Sequence, residues 1–326
     1  MAPTHLLVHQ LYHVLSKVIK GSGITVAMED DIETQEMPSI VIGTPLKLLS
    51  KFKIYNLNFK VDVFQNIGIL VLDEADQLIE ETNEAALREF LKLARNRAKT
   101  VLAAATVSNA GRLSTENTIA RLFRKLKVVR TDAVHSIPTH IDAEFVYCVD
   151  YNQKIETLLD VLQQVGSKER ALIFCGSVES SKSLLHAMKA VNPRLDVGVV
   201  NRDVDLPTQL AALHPEHGNK FIVCTDTLAR GIDLGNVNMV VQFDFPTNVL
   251  HYIHRAGRAG RNLQRCKTVL LWTDANREFH TLLYENRNNL TALFSRKRGL
   301  RKKLKRGVAI TSHAPPEAGL DTNDSM

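Results

Sequence analysis

The C-terminal half of the chain contains short apolar runs separated by helical stretches, and this alternation constrains the fold more than any other feature. Residues 171–175, 195–200, 221–225, 237–243 and 267–272 are largely apolar runs of strand length. Continuous apolar runs are typical of strands that are buried on both faces of a parallel sheet. Because parallel strands require crossover connections, the intervening helices complete an α/β pattern.

Helical signals separate these runs. Ser177 occupies an N-cap position ahead of a helical stretch that extends to residue 190. A hydroxyl at that position accepts a hydrogen bond from an amide of the first turn. Residues 207–213 are typical of a short helix, and another helix begins at about Asn248. Helices between successive strands provide right-handed crossovers, and strands connected in this way form a parallel sheet.

The N-terminal half shows the same alternation with larger gaps. Residues 6–19 have the apolar periodicity of a helix, and residues 40–42, 67–72 and 100–104 are strand candidates. A chain of 326 residues is long enough for two domains. The predicted boundaries are residues 1–130 for the first domain, 131–150 for a linker around Pro138, 151–290 for the second domain and 291–326 for a basic and then disordered tail.

The cysteines exclude some classes of protein. Cys148, Cys175, Cys224 and Cys266 are far apart and form no C-x-x-C pair, so neither a zinc site nor a disulfide framework is predicted. Three of them lie in strand-like runs, where buried free thiols are expected, and this favours a reducing compartment. No apolar run approaches the roughly 20 residues of a membrane helix, and we predict neither a secretory signal nor a membrane partner.

The formal net charge of +6 is concentrated near the C terminus. Of 41 basic residues, set against 35 acidic ones, eight form one short cluster, and the rest of the chain is close to neutral. The cluster consists of Arg296, Lys297, Arg298, Arg301, Lys302, Lys303, Lys305 and Arg306. Such a cluster is typical of a polyanion-binding arm or of a nuclear or nucleolar targeting signal. A solvated helix end without a partner is the alternative.

Acidic residues follow one predicted strand directly. The segment Asp73-Glu74-Ala75-Asp76 comes after the apolar run 67–72. Carboxylates at the carboxyl end of a parallel strand lie on the edge where α/β sheets bind ligands. One acid can hold a hydrated magnesium ion while another orients and deprotonates water. A helix N-terminus enriched in acids would have a similar sequence.

Arginines recur in the second half. Residues 254–261 read HRAGRAGR, with three arginines at a period of three among small residues. This pattern lets guanidinium groups crowd around phosphate, which they bind bidentately. A basic surface loop is the alternative interpretation. Upstream, residues 225–233 (TDTLARGID) follow another predicted strand and bring a hydroxyl, amides near a glycine and a second carboxylate to the same sheet edge.

These three segments, in this order and spacing, resemble the DEAD-box family of RNA helicases. The matching pieces are VLDEAD at 71–76, TDTLARGID at 225–233 and HRAGRAGR at 254–261. Weaker matches over residues 3–275 are Pro3-Thr4 with Gln10, Thr44-Pro45, Ala104-Ala105-Thr106 and residues 171–177. The resemblance implies two RecA-like parallel-sheet domains that close on ATP and single-stranded RNA.

The resemblance also implies roles for residues of the first domain. Asp73 would hold magnesium through water, and Glu74 would be the base for the attacking water. Asp76 and Thr106 would couple the nucleotide to the contact between domains. This division fits phosphoryl transfer, in which positioning and charge neutralisation supply most of the catalysis.

In the second domain, the resemblance implies that Arg258 and Arg261 are arginine fingers on the γ-phosphate. Asp233 would face the sugar of the nucleotide, and His254 would link to the motif around Asp76 and Thr106. The cofactors implied are ATP and Mg²⁺.

The resemblance implies that RNA lies across both domains. The RNA backbone would be held by Thr4, Thr44, Gly176 and Thr225. Contacts to the backbone alone make binding largely independent of sequence. A ribonucleoprotein or ribosomal precursor is the expected larger partner, and the location is expected to be intracellular, in the nucleus, the nucleolus or a mitochondrion.

One departure from the family pattern concerns the phosphate-binding loop. That loop requires G-x-x-x-x-G-K-[ST], and this chain contains no Gly-Lys pair. The adenine-reading segment that precedes the loop in the family is also absent. We therefore expect an N-terminally truncated form with an incomplete first domain, arising from a shortened gene model or a short isoform, without ATPase activity of its own.

Smaller departures occur at single positions. His5 and Leu6 replace the usual Arg-Glu, and residues 46–47 (LK) replace Gly-Arg. Ala104 lacks the hydroxyl that the family uses in coupling its domains, and Ala212 occupies a position where an arginine is usual. Together with the basic tail, this divergence favours the organellar, ribosome-assembly branch of the family.

Three functional hypotheses follow. The first is an ATP-dependent RNA helicase that remodels RNA or ribonucleoprotein and whose complete form has the missing loop. The second is a module that binds RNA without turnover, through its second domain and tail. The third is a DNA-directed relative in the same superfamily. The residues of the motifs LDEAD, ARGID and HRAGRAGR disfavour this hypothesis.

Overall fold

The computed structural model describes residues 1–32, 36–59, 62–79, 81–94, 98–105, 115–123, 126–129, 137–214, 216–226, 234, 236–260, 264–287, 290 and 293. Within these residues the chain forms two α/β units on parallel sheets. The predicted fold class is thereby confirmed. Thr106, Asp233, Arg261 and the basic tail lie outside the described residues.

The first domain contains two pairs of short parallel strands and six helices among its described residues. β1 (Val26–Met28) pairs with β2 (Ile40–Ile42), and β3 (Ile69–Leu72) pairs with β4 (Lys99–Leu102). The helices are α1 (His5–Val18), α2 (Pro45–Phe59), α3 (Val63–Asn66), α4 (Ala75–Leu78), α5 (Glu81–Leu93) and α6 (Thr115–Leu122). The sequence predicted α1 and the strands β2, β3 and β4 but missed β1, which has three residues.

The first two residues lie between the two strand pairs. The Ala2 amide donates to the Gly43 carbonyl at 3.1 Å. The Met1 amine donates to the Val71 carbonyl at 2.7 Å, and the Asp73 amide donates to the Met1 carbonyl at 3.0 Å. This segment therefore satisfies backbone groups at the ends of β2 and β3, and it joins the two pairs into one layer.

The apolar core of the first domain lies on one side of β3. Phe52, Phe64 and Phe90 pack with ring centroids 5.2 to 5.8 Å apart, beneath Leu70 and Leu72. On the opposite face, Ile69 is 66%, Val71 48% and Val101 52% exposed. This strand is therefore buried on one face only, because α2, α3 and α5 cover that face.

The second domain is a six-stranded parallel sheet in the order β5-β10-β9-β6-β8-β7. Its strands are β5 (Ile141–Tyr147), β6 (Arg170–Phe174), β7 (Val197–Val200), β8 (Phe221–Cys224), β9 (Val237–Gln242) and β10 (Cys266–Trp272). Its helices are α7 (Tyr151–Gln163), α8 (Val178–Val191), α9 (Leu206–Leu213), α10 (Val249–Ala256) and α11 (Arg277–Glu285). Every residue of β6 and β8 is buried, as their continuous apolar sequences predict.

The structure revises one predicted boundary. The interval 131–150, interpreted as a linker, contains β5, which pairs with β10 over seven residues. Pro138 precedes this strand, and the chain enters the second sheet at Ile141. The interval lacked helix signals because it contains a strand, and half-burial weakened its apolar pattern.

The four cysteines are free and buried. The prediction of buried free thiols, made for three of them, is confirmed, and the fourth is buried as well. Burial raises the pKa of the Cys175 thiol well above its usual range, so this group stays protonated. None of the described helices has the length and apolar content that crossing a membrane requires.

Candidate functional site at the domain interface

The acidic turn begins where β3 ends. The Ala75 amide donates to the Ala103 carbonyl at 2.8 Å, which ties the turn to the end of β4. Glu74 adopts the left-handed conformation, with φ 49° and ψ 51°. The Asp73 carboxylate accepts from the Glu74 amide at 3.0 Å. Left-handed backbone is costly for a residue with a Cβ, so the turn positions Glu74 at the expense of local stability.

Asp76 in α4 approaches the second domain. His254 Nε2 lies 3.6 Å from Asp76 Oδ2, and both side chains are almost completely buried. The Asp76 carboxylate also accepts from the Gln77 amide at 3.2 Å. Two residues that are 178 positions apart in sequence therefore meet at the interface. The structure brings together the pair that the resemblance placed in contact.

Helix α10 positions the arginine-rich segment. Its N-cap is Asn248, whose side chain accepts from the His251 amide at 2.9 Å. The helix ends at Ala256 with Gly257 as its C-cap, and His254 lies in its last turn. Arg258 follows the helix, is buried, and donates from Nε to the His254 carbonyl at 3.3 Å. Arg258 is thereby adjacent to the histidine that contacts Asp76.

Arg255 does not belong with the phosphate-directed arginines. Its guanidinium is fully buried, donates to both oxygens of Asp226 at 2.6 and 2.9 Å, and donates to the Asp244 carbonyl at 2.7 Å. The guanidinium carbon also lies 5.5 Å from the centroid of the Phe174 ring. The interpretation that three arginines crowd around phosphate is therefore wrong for the first of them, because Arg255 ties α10 to the sheet.

Asp226 follows β8 and is the main partner of Arg255. Burial opposes its ionisation, but hydrogen bonds from His251 and Arg255 outweigh that cost and hold the pKa of this carboxyl well below its usual range. His251 Nδ1 lies 3.1 Å from the carboxylate. Asp226 is thus a carboxylate that stabilises the second domain at its sheet edge.

Thr4 and Thr44 are the predicted RNA contacts of the first domain. Thr4 caps α1, accepting from the Leu7 amide at 3.3 Å. Thr44 donates its amide and its hydroxyl to the carboxylate of Glu29, at 2.5 and 3.1 Å. Leu6, which replaces a glutamate of the family pattern, is buried in the apolar cluster that includes Leu213 of the second domain.

Gly176 and Thr225 are the predicted RNA contacts of the second domain. The Gly176 amide donates to Asp244 Oδ2 at 2.8 Å, and the Ser180 hydroxyl donates to the same oxygen. Thr225 is buried at the end of β8, and its amide donates to the Val200 carbonyl at 3.3 Å. Both residues lie at the carboxyl edge of the sheet, beside the Arg255–Asp226 pair.

Sequence reasoning assigned no role to Glu29, Asp226 or Asp244. Asp226 follows β8 directly, and Asp244 comes shortly after β9, so position relative to a strand end was an available signal for both. Glu29 lies in a short 3-10 turn after β1 and had no comparable signal. Its partner Thr44 is 15 residues away, and only the fold shows the contact.

One group of side chains has the composition of a metal site. Ligand atoms of His5, Glu29 and Asp30 lie within 4.8 Å of one another. However, Lys47 Nζ lies 2.9 Å from Asp30 Oδ2 and 3.8 Å from Glu29 Oε1. An ammonium group already supplies the positive charge there, so we assign no metal to this group. The Asp73 carboxylate, at the end of β3, remains the group predicted to hold magnesium through water.

The fold and the site together define a two-domain protein of the RecA-like helicase class. The family model described as DEAD/DEAH box helicase matches residues 1–113, and the model described as helicase conserved C-terminal domain matches residues 153–263. The chain belongs to the DEAD/DEAH box helicase family, as the three motifs predicted.

Named relatives of the chain support this family assignment. The chain is 29% identical over 284 residues to DEAD-box ATP-dependent RNA helicase 39 of Arabidopsis thaliana. The aligned stretch covers 80% of this chain and 44% of that protein. It is 26% identical over 294 residues to probable ATP-dependent RNA helicase DDX52 of Mus musculus, and the alignment covers 84% of this chain and 47% of that protein. It is 25% identical over 288 residues to ATP-dependent rRNA helicase SPB4 of Candida glabrata, covering 85% and 45%. The chain spans about half the length of these relatives.

Solved structures share the fold. S. cerevisiae Dbp5 bound to RNA and ADP BeF3 superposes with a TM-score of 0.76 at 21% identity, covering 94% of this chain and 80% of that chain. Mss116p bound to single-stranded RNA and AMP-PNP superposes with a TM-score of 0.71 at 21% identity, covering 94% and 66%. The arrangement of both units therefore matches known two-domain helicases.

Proposed function

We propose that the chain carries the RNA-binding surface and the domain-coupling part of an ATP-dependent RNA helicase of the DEAD-box type. The single observation that carries this proposal is the buried contact between His254 and Asp76. It joins the acidic turn of one sheet edge to the arginine-bearing helix end of the other domain. That is the arrangement required for a triphosphate held between two domains.

On this proposal, each side of the cleft has its own task. Asp73 holds a hydrated magnesium ion, and Glu74 accepts the proton of the attacking water. Magnesium supplies charge neutralisation on the β- and γ-phosphates when it is bound. Arg258, with Arg261 from outside the described residues, stabilises the charge that develops on the transferred phosphoryl group. Asp233, also outside them, faces the sugar.

Turnover requires more than these residues. The lysine and glycine amides that hold the β- and γ-phosphates belong to the loop G-x-x-x-x-G-K-[ST], which this sequence does not contain. We therefore propose that the chain alone binds RNA without hydrolysing ATP. This missing loop specifically favours the second candidate function, a non-catalytic RNA-binding module.

We propose that RNA binding by this chain is independent of sequence and uses Thr4, Gly176 and Thr225, with Thr44 as a further backbone contact once its hydroxyl is released from Glu29. Single-stranded RNA held by its backbone is read without base contacts. SPB4 of Candida glabrata is named an rRNA helicase, and this name supports a ribosomal precursor as the target.

The test combines RNA binding with ATP hydrolysis. We expect the chain to bind single-stranded RNAs of different sequence with similar affinity and to show no RNA-stimulated phosphate release. RNA-stimulated turnover that disappears in a Glu74→Gln variant would contradict the non-catalytic proposal and show a working active site. A strong preference for one RNA sequence would contradict binding through the backbone.

A further inference from the structure

Two hydrogen-bond donors of Thr44 and two basic side chains surround the carboxylate of Glu29. Oε2 accepts from the Thr44 amide at 2.5 Å and from the Thr44 hydroxyl at 3.1 Å. Oε1 lies 2.7 Å from His5 Nδ1 and 3.8 Å from Lys47 Nζ. Amides, hydroxyls, imidazoles and ammonium groups are the donors with which proteins hold phosphate oxygens. The first domain thus contains an anion pocket, and Glu29 is its occupant.

The pocket is built to admit this side chain. Glu29 is 1% exposed. A Cβ placed on Gly43 would lie 2.3 Å from Glu29 Oε2, so the carboxylate packs directly against the glycine backbone. His5 and Lys47 are each about two-fifths exposed and line the side of the pocket that faces solvent. The His5 and Lys47 side chains are within reach of solvent, but the carboxylate between them is buried. An external anion can therefore enter this site only by displacing the Glu29 carboxylate.

We infer that Glu29 is an internal phosphate mimic that closes the RNA-backbone site of the first domain at Thr44. This inference rests on the proposed RNA-binding function. An RNA phosphate requires the donors that the carboxylate already holds, and two anions in one pocket repel each other. RNA gains the Thr44 contact only when Glu29 leaves, and the second domain holds RNA until then.

The test compares RNA affinities of variants at one position of the pocket. Glu29→Gln removes the negative charge and nearly preserves the shape. We expect this variant to bind single-stranded oligouridine several-fold more tightly in fluorescence anisotropy. The slope of log affinity against log salt should steepen by about 0.7, the value for one further phosphate contact on a single strand.

A matched control separates the pocket from net charge. Glu89 is an exposed acid on α5 that pairs with Lys53, and Glu89→Gln changes the net charge by the same amount. We expect no change in affinity for this control. Thr44→Val should reduce affinity more in the Glu29→Gln background than in the wild-type background, because Thr44 is then free to contact RNA. An equal loss in both backgrounds would overturn the inference.

The outcomes distinguish the two proposals. If the wild-type chain binds RNA but Glu29→Gln and Glu89→Gln behave alike, the phosphate mimic is wrong and the proposed function stands. If no variant binds RNA, both are overturned.

A measurement on the wild-type chain covers the case in which Glu29→Gln does not fold. Cross-linking to an oligonucleotide containing 4-thiouridine should label the second domain and leave the segment from Glu29 to Lys47 unlabelled. Cross-links within that segment of the wild-type chain would overturn the inference.

Discussion

His254 Nε2 lies 3.6 Å from Asp76 Oδ2, and this contact joins the two domains where both side chains are buried. Charged groups in such surroundings are costly unless they are paired. The pair is therefore a specific link between the domains. It also places the end of α10, and with it Arg258, beside the acidic turn.

Removing the imidazole tests this link. His254→Ala removes a partner of the buried Asp76 carboxylate. A buried carboxylate that loses a partner is more stable in contact with water. We expect the domains to separate, so that the radius of gyration in small-angle scattering increases. His186→Ala, at an exposed position on α8, is the matched control and should leave the radius unchanged. An unchanged radius for His254→Ala would show that other contacts hold the domains together.

Arg255 is predicted to be a determinant of stability rather than of phosphate binding. Replacing it with methionine leaves Asp226 without its bidentate partner. We expect the free energy of unfolding, measured with urea, to fall by about 3–5 kcal/mol. Arg277→Met removes an exposed arginine that pairs with Asp274 and should leave the free energy of unfolding nearly unchanged. Equal effects of the two substitutions would refute the structural role of Arg255.

The low pKa of Asp226 predicts a particular dependence of stability on pH. The folded-state pKa lies below that of the unfolded chain, so the stabilisation is complete above about pH 4 and is lost as pH falls through the folded-state value. The difference in unfolding free energy between wild type and Asp226→Asn should therefore be constant at neutral and mildly acidic pH. It should shrink only below about pH 4. A difference that shrinks near neutral pH would point to histidine titration instead.

The left-handed conformation of Glu74 predicts an unusual tolerance of glycine. Glycine adopts this conformation without a Cβ penalty, which costs other residues about 1–2 kcal/mol. We expect Glu74→Gly to preserve the unfolding free energy or to raise it. Gln77→Gly, three residues later in α4, should lower it by about 1 kcal/mol. A loss for Glu74→Gly as large as that for Gln77→Gly would contradict the strained turn.

The exposed face of β3 and β4 predicts how this chain behaves in solution. Ile69, Val71 and Val101 form an apolar surface, and contiguous surfaces of this kind promote association. Replacing Ile69 and Val71 with threonine should reduce self-association in analytical ultracentrifugation without loss of stability. Leu70→Thr, on the buried face, should instead destabilise the domain by about 2 kcal/mol or more. Undiminished association of the double variant would place the associating surface elsewhere.

Much of the fold could be predicted because its signals are local. Apolar runs predicted β6, β8, β9 and β10 to within about one residue, and Ser177 caps α8 as expected, accepting from the Ser180 amide. Half-buried β5 was missed because its outward positions are polar and its partner β10 is more than a hundred residues away. The exposure of one face of β3 depends on which helices cover the sheet, and no local pattern carries that information.

The sequence by itself determined the family, the α/β class and the acidic turn, because strand-forming runs and motif spacing are short-range properties. Only the tertiary structure decided which arginine is structural, since the fold of the second domain brings Arg255 into contact with Asp226 and Asp244. It also decided that Thr44 donates to Glu29. Hydrogen bonds and ion pairs between distant residues depend on the packing of whole elements, and that packing brings together side chains that the sequence keeps apart.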